Sequence, residues 1–441
     1  MNVYYLPGIT ASFLSFDRFG LKPYYFDVGA LVSNDPRTAA LDRDGLSPYP
    51  DGGQQLFPYA AYQYPELKAI LQPQIPGFSL VALPYDWRKE ITVTAASIAD
   101  QIERECSPQN PATLLCHSMG GLVGVNVHKT LVARSKADYI RRVITLGSPH
   151  AGSYAVVAVM NALLPGGDKG TLVNFFETQF SLLVAAAGSF ARALIATWPG
   201  FAELYPSLQK SAAYGDPQRK LIYNPALYPD LQPSGLADRL TENALFWQPF
   251  QVSAVQDIEQ RGKLFTVSGT SAFTIRAIKS DASDFSTDNF VRTIDGDGLV
   301  TVRSSQSGDG IIKPYTHSEL PLKLASDGTL AMLINMPEPV VPPPVVPNPF
   351  TPPPEVLVLI PVTSVALLNV LLPLQPETNK FTVLAFPGGD RASPVIVGQE
   401  RSQRSAWKRA NNNGTGIAAV YQYNGTSWFY VPTSPPQDPI T

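Results

Sequence analysis

An α/β fold built on a mostly parallel central sheet is predicted for this 441-residue chain by three observations. Short apolar runs that suit buried strands alternate with amphipathic stretches that suit helices. One such run, Ala112-Thr113-Leu114-Leu115, leads into Cys116-His117-Ser118-Met119-Gly120-Gly121, which reads as a strand, a sharp turn with a serine at its tip, and a helix behind it. The length allows two or three domains and a sizeable core. Charged residues make up 16% of the chain, below the typical ~25%, which favours burial.

The elements follow in order. Asn2-Val3-Tyr4-Tyr5-Leu6 reads as the first strand, running into Pro7-Gly8-Ile9-Thr10. Phe78 to Leu83 is a strand that delivers the loop Pro84-Tyr85-Asp86. Thr94 to Glu105 is an amphipathic helix, with Ile98, Ile102 and Cys106 at helical spacing. Met119 to Ala133 is the helix behind the serine turn. Val143-Ile144-Thr145-Leu146 is the next strand, and Lys263 to Val267 a late one. Between them, from about 154 to 261, the sequence changes character, and Leu163 to Phe201 is apolar and rich in small residues. An inserted helical cap or lid is expected there, against the alternative of ordinary helices packed on the sheet. Burying a methylene is worth about 0.8 kcal/mol, so an apolar trough under such a lid would select long apolar chains.

The serine turn is the nucleophile elbow of an α/β-hydrolase, usually G-x-S-x-G, with Cys116 in the first glycine's place. A serine hydroxyl is a weak nucleophile and must be lifted clear of the sheet to meet both a base and an ester. An ordinary helix N-cap serine is the competing reading. The chain has four histidines. His117 is too close along the backbone to serve its neighbour, and His128, well inside the helix, is expected at the surface or partly buried with no role. His150, after the Val143–Leu146 strand, is expected in the wall of the site. His317, late in the chain, stands where the order Ser, Asp, His requires the base. The acid is expected in Asp295-Gly296-Asp297-Gly298, with Asp297 favoured and Asp295 as the alternative. A calcium loop would want further oxygen ligands, and Leu299-Val300-Thr301-Val302 supplies none at the needed offsets. The oxyanion donors are expected to be the amides of Met119 and Ile9.

Together Leu6-Pro7-Gly8-Ile9, Pro84-Tyr85-Asp86-Trp87-Arg88, His117-Ser118-Met119-Gly120-Gly121, Leu146 to Gly152 and Gly296-Asp297-Gly298 resemble, in sequence and in order, the lecithin:cholesterol acyltransferase family, in the form of a bacterial member. The resemblance runs from residue 1 to about residue 325. It implies Ser118 as nucleophile, Asp297 as acid and His317 as base. It also implies that Asp86-Trp87-Arg88 supports the site from a loop after a strand, and Asp86, Trp87 and His150 are the expected substrate-binding residues. Leu299 stands where the family usually has Thr, and Cys106 and Cys116 are not arranged like the disulfide-closed lid loop of its secreted mammalian members.

From Pro337 to Glu355 prolines dominate, so a stiff linker of polyproline type is expected between a catalytic domain (1–336) and a C-terminal one (356–441). Val356 to Leu374 carries no charge, but Pro361, Pro373 and its β-branched content suit a small β domain better than a membrane helix. Ala418 to Tyr423 and Ser427 to Val431 read as strands joined at Asn424-Gly425-Thr426, with a second hairpin turn at Asn413-Gly414-Thr415. With a net charge of −3 and no basic stripe, nucleic acid is not an expected partner. Two cysteines exclude a disulfide scaffold. No metal or cofactor is called for. No signal peptide is read at the start, so a cytoplasmic protein or an exported mature form is expected. The expected activity is a serine-dependent lipid ester hydrolase or O-acyltransferase acting on phospholipid or acylglycerol-type esters, with water or an alcohol as acceptor. Peripheral contact with a membrane or other surface would come through the lid or the C-terminal domain. The alternatives are a carboxylesterase or polyester hydrolase with a C-terminal surface-binding module, and a non-catalytic binding protein on a hydrolase scaffold.

Overall fold

Burial of both strand faces organises the centre of the fold. In the computed structural model, strands β1 (Asn2–Leu6), β2 (Ser79–Ala82), β3 (Ala112–His117), β4 (Ile140–Leu146), β5 (Leu264–Gly269) and β6 (Ile311–Lys313) form one sheet. Their order is β6-β5-β4-β3-β1-β2 and every neighbouring pair is parallel. The structure describes residues 2–24, 41, 47–48, 54–162, 194–207, 236, 239–240, 243, 247–279, 289–307 and 310–337, and the strands at 360–361, 381–387, 395–400, 416–423 and 428–431.

A parallel strand is covered on both faces, so successive side chains enter two cores. Val3 and Tyr5 enter one, Tyr4 and Leu6 the other, and Leu115 and Leu114 divide in the same way. The covering helices are α1 (Tyr64–Leu71), α2 (Ile91–Glu105), α3 (Met119–Ala133), α4 (Gln248–Gln260), α5 (Leu320–Ser326) and α6 (Thr329–Asn335). Helices α1, α5 and α6 contribute to the Val3 core, and α2, α3 and α4 to the Tyr4 core. Every residue of α3 from Met119 to His128 is buried, so its sequence shows no one-sided apolar stripe. This is the α/β-hydrolase arrangement, with the serine turn directly after the interior strand β3.

Two elements differ from the sequence expectation for physical reasons. Helix α2 starts at Ile91, ahead of the expected Thr94, because Glu203 Oε2 accepts its first amide at 2.8 Å. That cap comes from far along the chain, so no local signal marks the start. Strand β6 was not among the expected strands. Ile311-Ile312-Lys313 is too short to alternate visibly, and only pairing with β5 defines it.

A two-stranded antiparallel ribbon (Thr274–Ile278 with Phe290–Thr293) sits between β5 and β6 and delivers the Asp295–Gly298 loop. A small antiparallel sheet (Ser12–Ser15, Pro23–Tyr24, Phe57–Ala61) follows β1. Contacts divide the chain into Met1–Val341 and Pro342–Thr441. The second unit carries an antiparallel sheet in the order Ile360–Pro361, Trp428–Val431, Gly416–Tyr423, Phe381–Pro387, Val395–Glu400. The expected strands near 418–423 and 427–431 fall on two of these. Most of the expected cap, the proline-rich linker, both hairpin turns and all but Ile360–Pro361 of 356–374 lie outside the described residues. Among the described residues no helix is long and apolar enough to cross a membrane.

Candidate active site

The candidate residues collect at the carboxyl edge of the sheet, where the register pairs Leu6 with Cys116, His117 with Leu146, and Leu146 with Val267. The turn after β3 is tight. A Cβ on Gly120 would run into the main-chain carbonyls of Leu6 and Pro7, so α3 can enter here only with glycine at that position. Ser118 itself sits at φ 54, ψ −127, a region that costs a non-glycine residue about 1–3 kcal/mol and is held by its surroundings. Two bonds hold it: its N–H donates to Leu146 O at 2.9 Å, and its carbonyl accepts from Gly121 N–H at 2.9 Å. Its hydroxyl makes no capping bond to α3, which argues against the ordinary N-cap reading.

Asp297 and His317 form a buried pair, with 1% and 6% exposure. His317 Nδ1 lies 2.8 Å from Asp297 Oδ2, and Asp297 Oδ1 accepts the amides of Leu299 at 3.0 Å and Val300 at 2.7 Å. The His317 main chain is tied as well: its N–H donates to Asp297 O at 2.9 Å, and its carbonyl faces His117 Nε2 at 2.9 Å. A carboxylate accepting from Nδ1–H leaves the lone pair on Nε2, the tautomer a general base requires. Asp295 is exposed, and it is Asp297 that the structure brings to His317.

Two glycines show how close these parts lie. Gly147 directly follows the Leu146 that binds the Ser118 amide, and a Cβ on it would fall 2.8 Å from Asp297 Oδ2 and 3.1 Å from His317 Nδ1. A Cβ on Gly8 would fall 2.9 Å from Ser118 Cβ and 3.4 Å from its Oγ. The loop carrying Ile9 therefore meets the serine. On the other side Met119 opens α3, where a first-turn N–H has no acceptor within the helix.

Asp86, Trp87 and His150 are buried, as Ser118 and His317 are. Asp86 forms a two-point ion pair with Arg88 at 2.8 and 2.7 Å, because a carboxylate and a guanidinium buried together must satisfy each other. Trp87 Nε1 donates to Ser12 O at 3.1 Å, and its ring stands edge-on to Trp198 at 5.0 Å. Sequence reasoning missed Tyr85, whose hydroxyl donates to Pro7 O at 2.7 Å and whose amide donates to Ser12 Oγ at 3.0 Å. The Pro84–Arg88 segment thus braces the loop that carries Ile9. His150 sits 3.2 Å from Thr145 Oγ1 and 3.5 Å from Gln251 Nε2, and Asn126 donates to Gln251 Oε1 at 2.7 Å. That is a buried network joining β4, α3 and α4.

Burial also sets the charge state of the remaining groups. Burial, with the neighbouring His317, lowers the His117 pKa to about 3. His128 is fully buried, contrary to expectation, and burial with Lys263 and Arg261 lowers it to about 3. Burial raises the thiols of Cys106 and Cys116, and both are free. Among the described residues no group of three or more His, Cys, Asp or Glu side chains gathers as metal ligands would.

Residues 75–206 match the family model of lecithin:cholesterol acyltransferase. Comparison with curated proteins finds no match in sequence. Among solved structures, the Tle4–Tli4 complex is similar at 14% identity and a TM-score of 0.44, covering 76% of this chain and 98% of that one. The mature lipase BlEst2 of Bacillus licheniformis matches at 12% identity and a TM-score of 0.28, over 76% and 90% of the two chains. EstA of Clostridium botulinum matches at 11% identity and a TM-score of 0.30, over 74% and 83%.

Proposed function

With residues 75–206 matching the lecithin:cholesterol acyltransferase family, we propose that this chain is a serine esterase of lipid-type carboxylic esters. One observation carries the reading: a strained serine whose hydroxyl does not cap α3 is bound through its amide to Leu146, and the next residue, Gly147, packs against a buried Asp–His pair. In the proposed cycle Ser118 Oγ attacks the ester carbonyl while His317 Nε2 takes the hydroxyl proton. Asp297 holds the ring and stabilises the imidazolium. The negative charge on the tetrahedral oxygen falls to the amides of Met119 and Ile9, and each such donor is worth about 10²–10³-fold in kcat. The C–O bond then breaks, the alcohol or lysolipid leaves with the proton from His317, and the acyl group stays on Ser118. Water or a second alcohol, deprotonated by His317, attacks the acyl-enzyme and restores the serine.

The acceptor separates a hydrolase from an acyltransferase, and product analysis by mass spectrometry tests it. Wild type and Ser118→Ala are incubated with phosphatidylcholine vesicles containing a sterol or diacylglycerol. Serine-dependent ester on the acceptor establishes transfer, and free fatty acid alone establishes a phospholipase A. Turnover of neither kind, with soluble esters still cleaved, moves the substrate to soluble or polymeric esters.

A further inference from the structure

His117 precedes the proposed nucleophile, is buried, and has no part in the cycle above. Its surroundings are nevertheless specific. Its Nε2 lies 2.9 Å from the main-chain carbonyl of His317, and the two rings stand 4.8 Å apart, tilted by 43°. A carbonyl oxygen carries no proton, so the bond exists only if His117 Nε2 carries the hydrogen. The other ring nitrogen faces the Gly8 loop, where a Cβ on Gly8 would fall 3.5 Å from it. His117 thus touches the base loop and the Ile9 loop while joined by one peptide bond to Ser118.

We infer that His117 is a positioning residue: its Nε2–H holds the His317 carbonyl and so fixes the base relative to the elbow that carries Ser118. This rests on the serine-esterase reading. The His317 amide and Nδ1 both bond to Asp297, in the same loop system. The His117 bond runs to the elbow, so it links the base to the nucleophile's own strand. The ring is also suited to the place because it stays neutral. A cation beside His317 would oppose the imidazolium that forms during attack, and burial disfavours one here.

The test pairs variants with a tautomer measurement on the full chain. His117→Phe keeps a ring but has no donor, whereas His117→Gln can place an amide N–H near the position of Nε2. Misplacing a catalytic group by about 1 Å costs up to about 10²-fold. His117→Phe is therefore expected to lower kcat on p-nitrophenyl butyrate about 10–100-fold with KM nearly unchanged, and His117→Gln to recover most of that loss. Equal loss in both variants, or none in the Phe variant, overturns the inference. So does a fall confined to KM. Should the Phe variant fail to fold, ring-¹⁵N NMR of the wild type still decides: Nε2–H on His117 is expected, and Nδ1–H with a bare Nε2 refutes the bond. A wild type that neither turns over esters nor reacts with a fluorophosphonate removes the esterase reading itself, an outcome distinct from active wild type with an unaffected Phe variant.

Discussion

Replacing Asp297 by Asn tests the acid assignment and its magnitude. The Asp297 Oδ1 position is already bound to the amides of Leu299 and Val300, so the asparagine oxygen keeps those bonds and its NH₂ turns toward His317 Nδ1. A donor now faces the nitrogen that held a proton, and the ring changes to the tautomer with hydrogen on Nε2. That ring cannot accept the serine proton. The imidazolium also loses its counter-charge. Charge centres about 4 Å apart attract by about 4 kcal/mol at an effective dielectric of about 20, which at about 1.4 kcal/mol per decade is about 10³-fold. With the tautomer error added, kcat is expected to fall about 10³–10⁴-fold. The assay is hydrolysis of p-nitrophenyl butyrate, with a urea melt to show that the fold survives. Asp295 is exposed, so Asp295→Asn should stay within about threefold. An Asp297→Asn enzyme retaining a tenth of wild-type kcat, or an Asp295→Asn enzyme losing as much as the other, would refute the reasoning.

Three more perturbations have defined outcomes. Ser118→Gly relieves the strain at φ 54, so it should abolish turnover while raising stability by about 1 kcal/mol or more in urea; a destabilised variant contradicts the strained elbow. Arg88→Ala leaves the Asp86 carboxylate buried without its paired guanidinium and should cost about 3–5 kcal/mol, read as a shift of the urea midpoint. His128, with a folded pKa of about 3 against 6.5 unfolded, binds its proton more readily in the unfolded chain. Stability is therefore full above pH 6.5 and falls as pH drops toward 3. His128→Leu should remove about one proton, about 1.4 kcal/mol per pH unit, from that slope. An unchanged slope between pH 6 and 4 would show that His128 is protonated in the folded protein.

What was legible in the sequence is local or short in range. The strand-turn-helix around Ser118 announces itself because the chemistry needs apolar residues, a serine and close-packed glycines in one run. His317 was found by elimination among few histidines, and its order after Ser118 and Asp297 fitted. Asp297 was favoured over Asp295 in the sequence and matched the family motif, and in the structure its carboxyl is the one that meets His317. The start of α2 was hidden because Glu203 caps it from a distance, and β6 because three residues show no period. Asp86 and Trp87 were placed by the family resemblance, and His150 by its position after a strand end. They bond to Arg88, Ser12 and Gln251, and no local pattern reveals those partners. The contact of His117 with His317 joins positions 200 residues apart, beyond any reading of spacing.

The central claim is that Ser118 is the nucleophile of an acyl-enzyme. Intact-mass and peptide mapping after reaction with a long-chain alkyl fluorophosphonate test it most directly. The account predicts one adduct per chain, located on Ser118, lost in Ser118→Ala and strongly slowed in Asp297→Asn. Absence of an adduct on an otherwise folded protein, or an adduct on a different residue that survives Ser118→Ala, would contradict it.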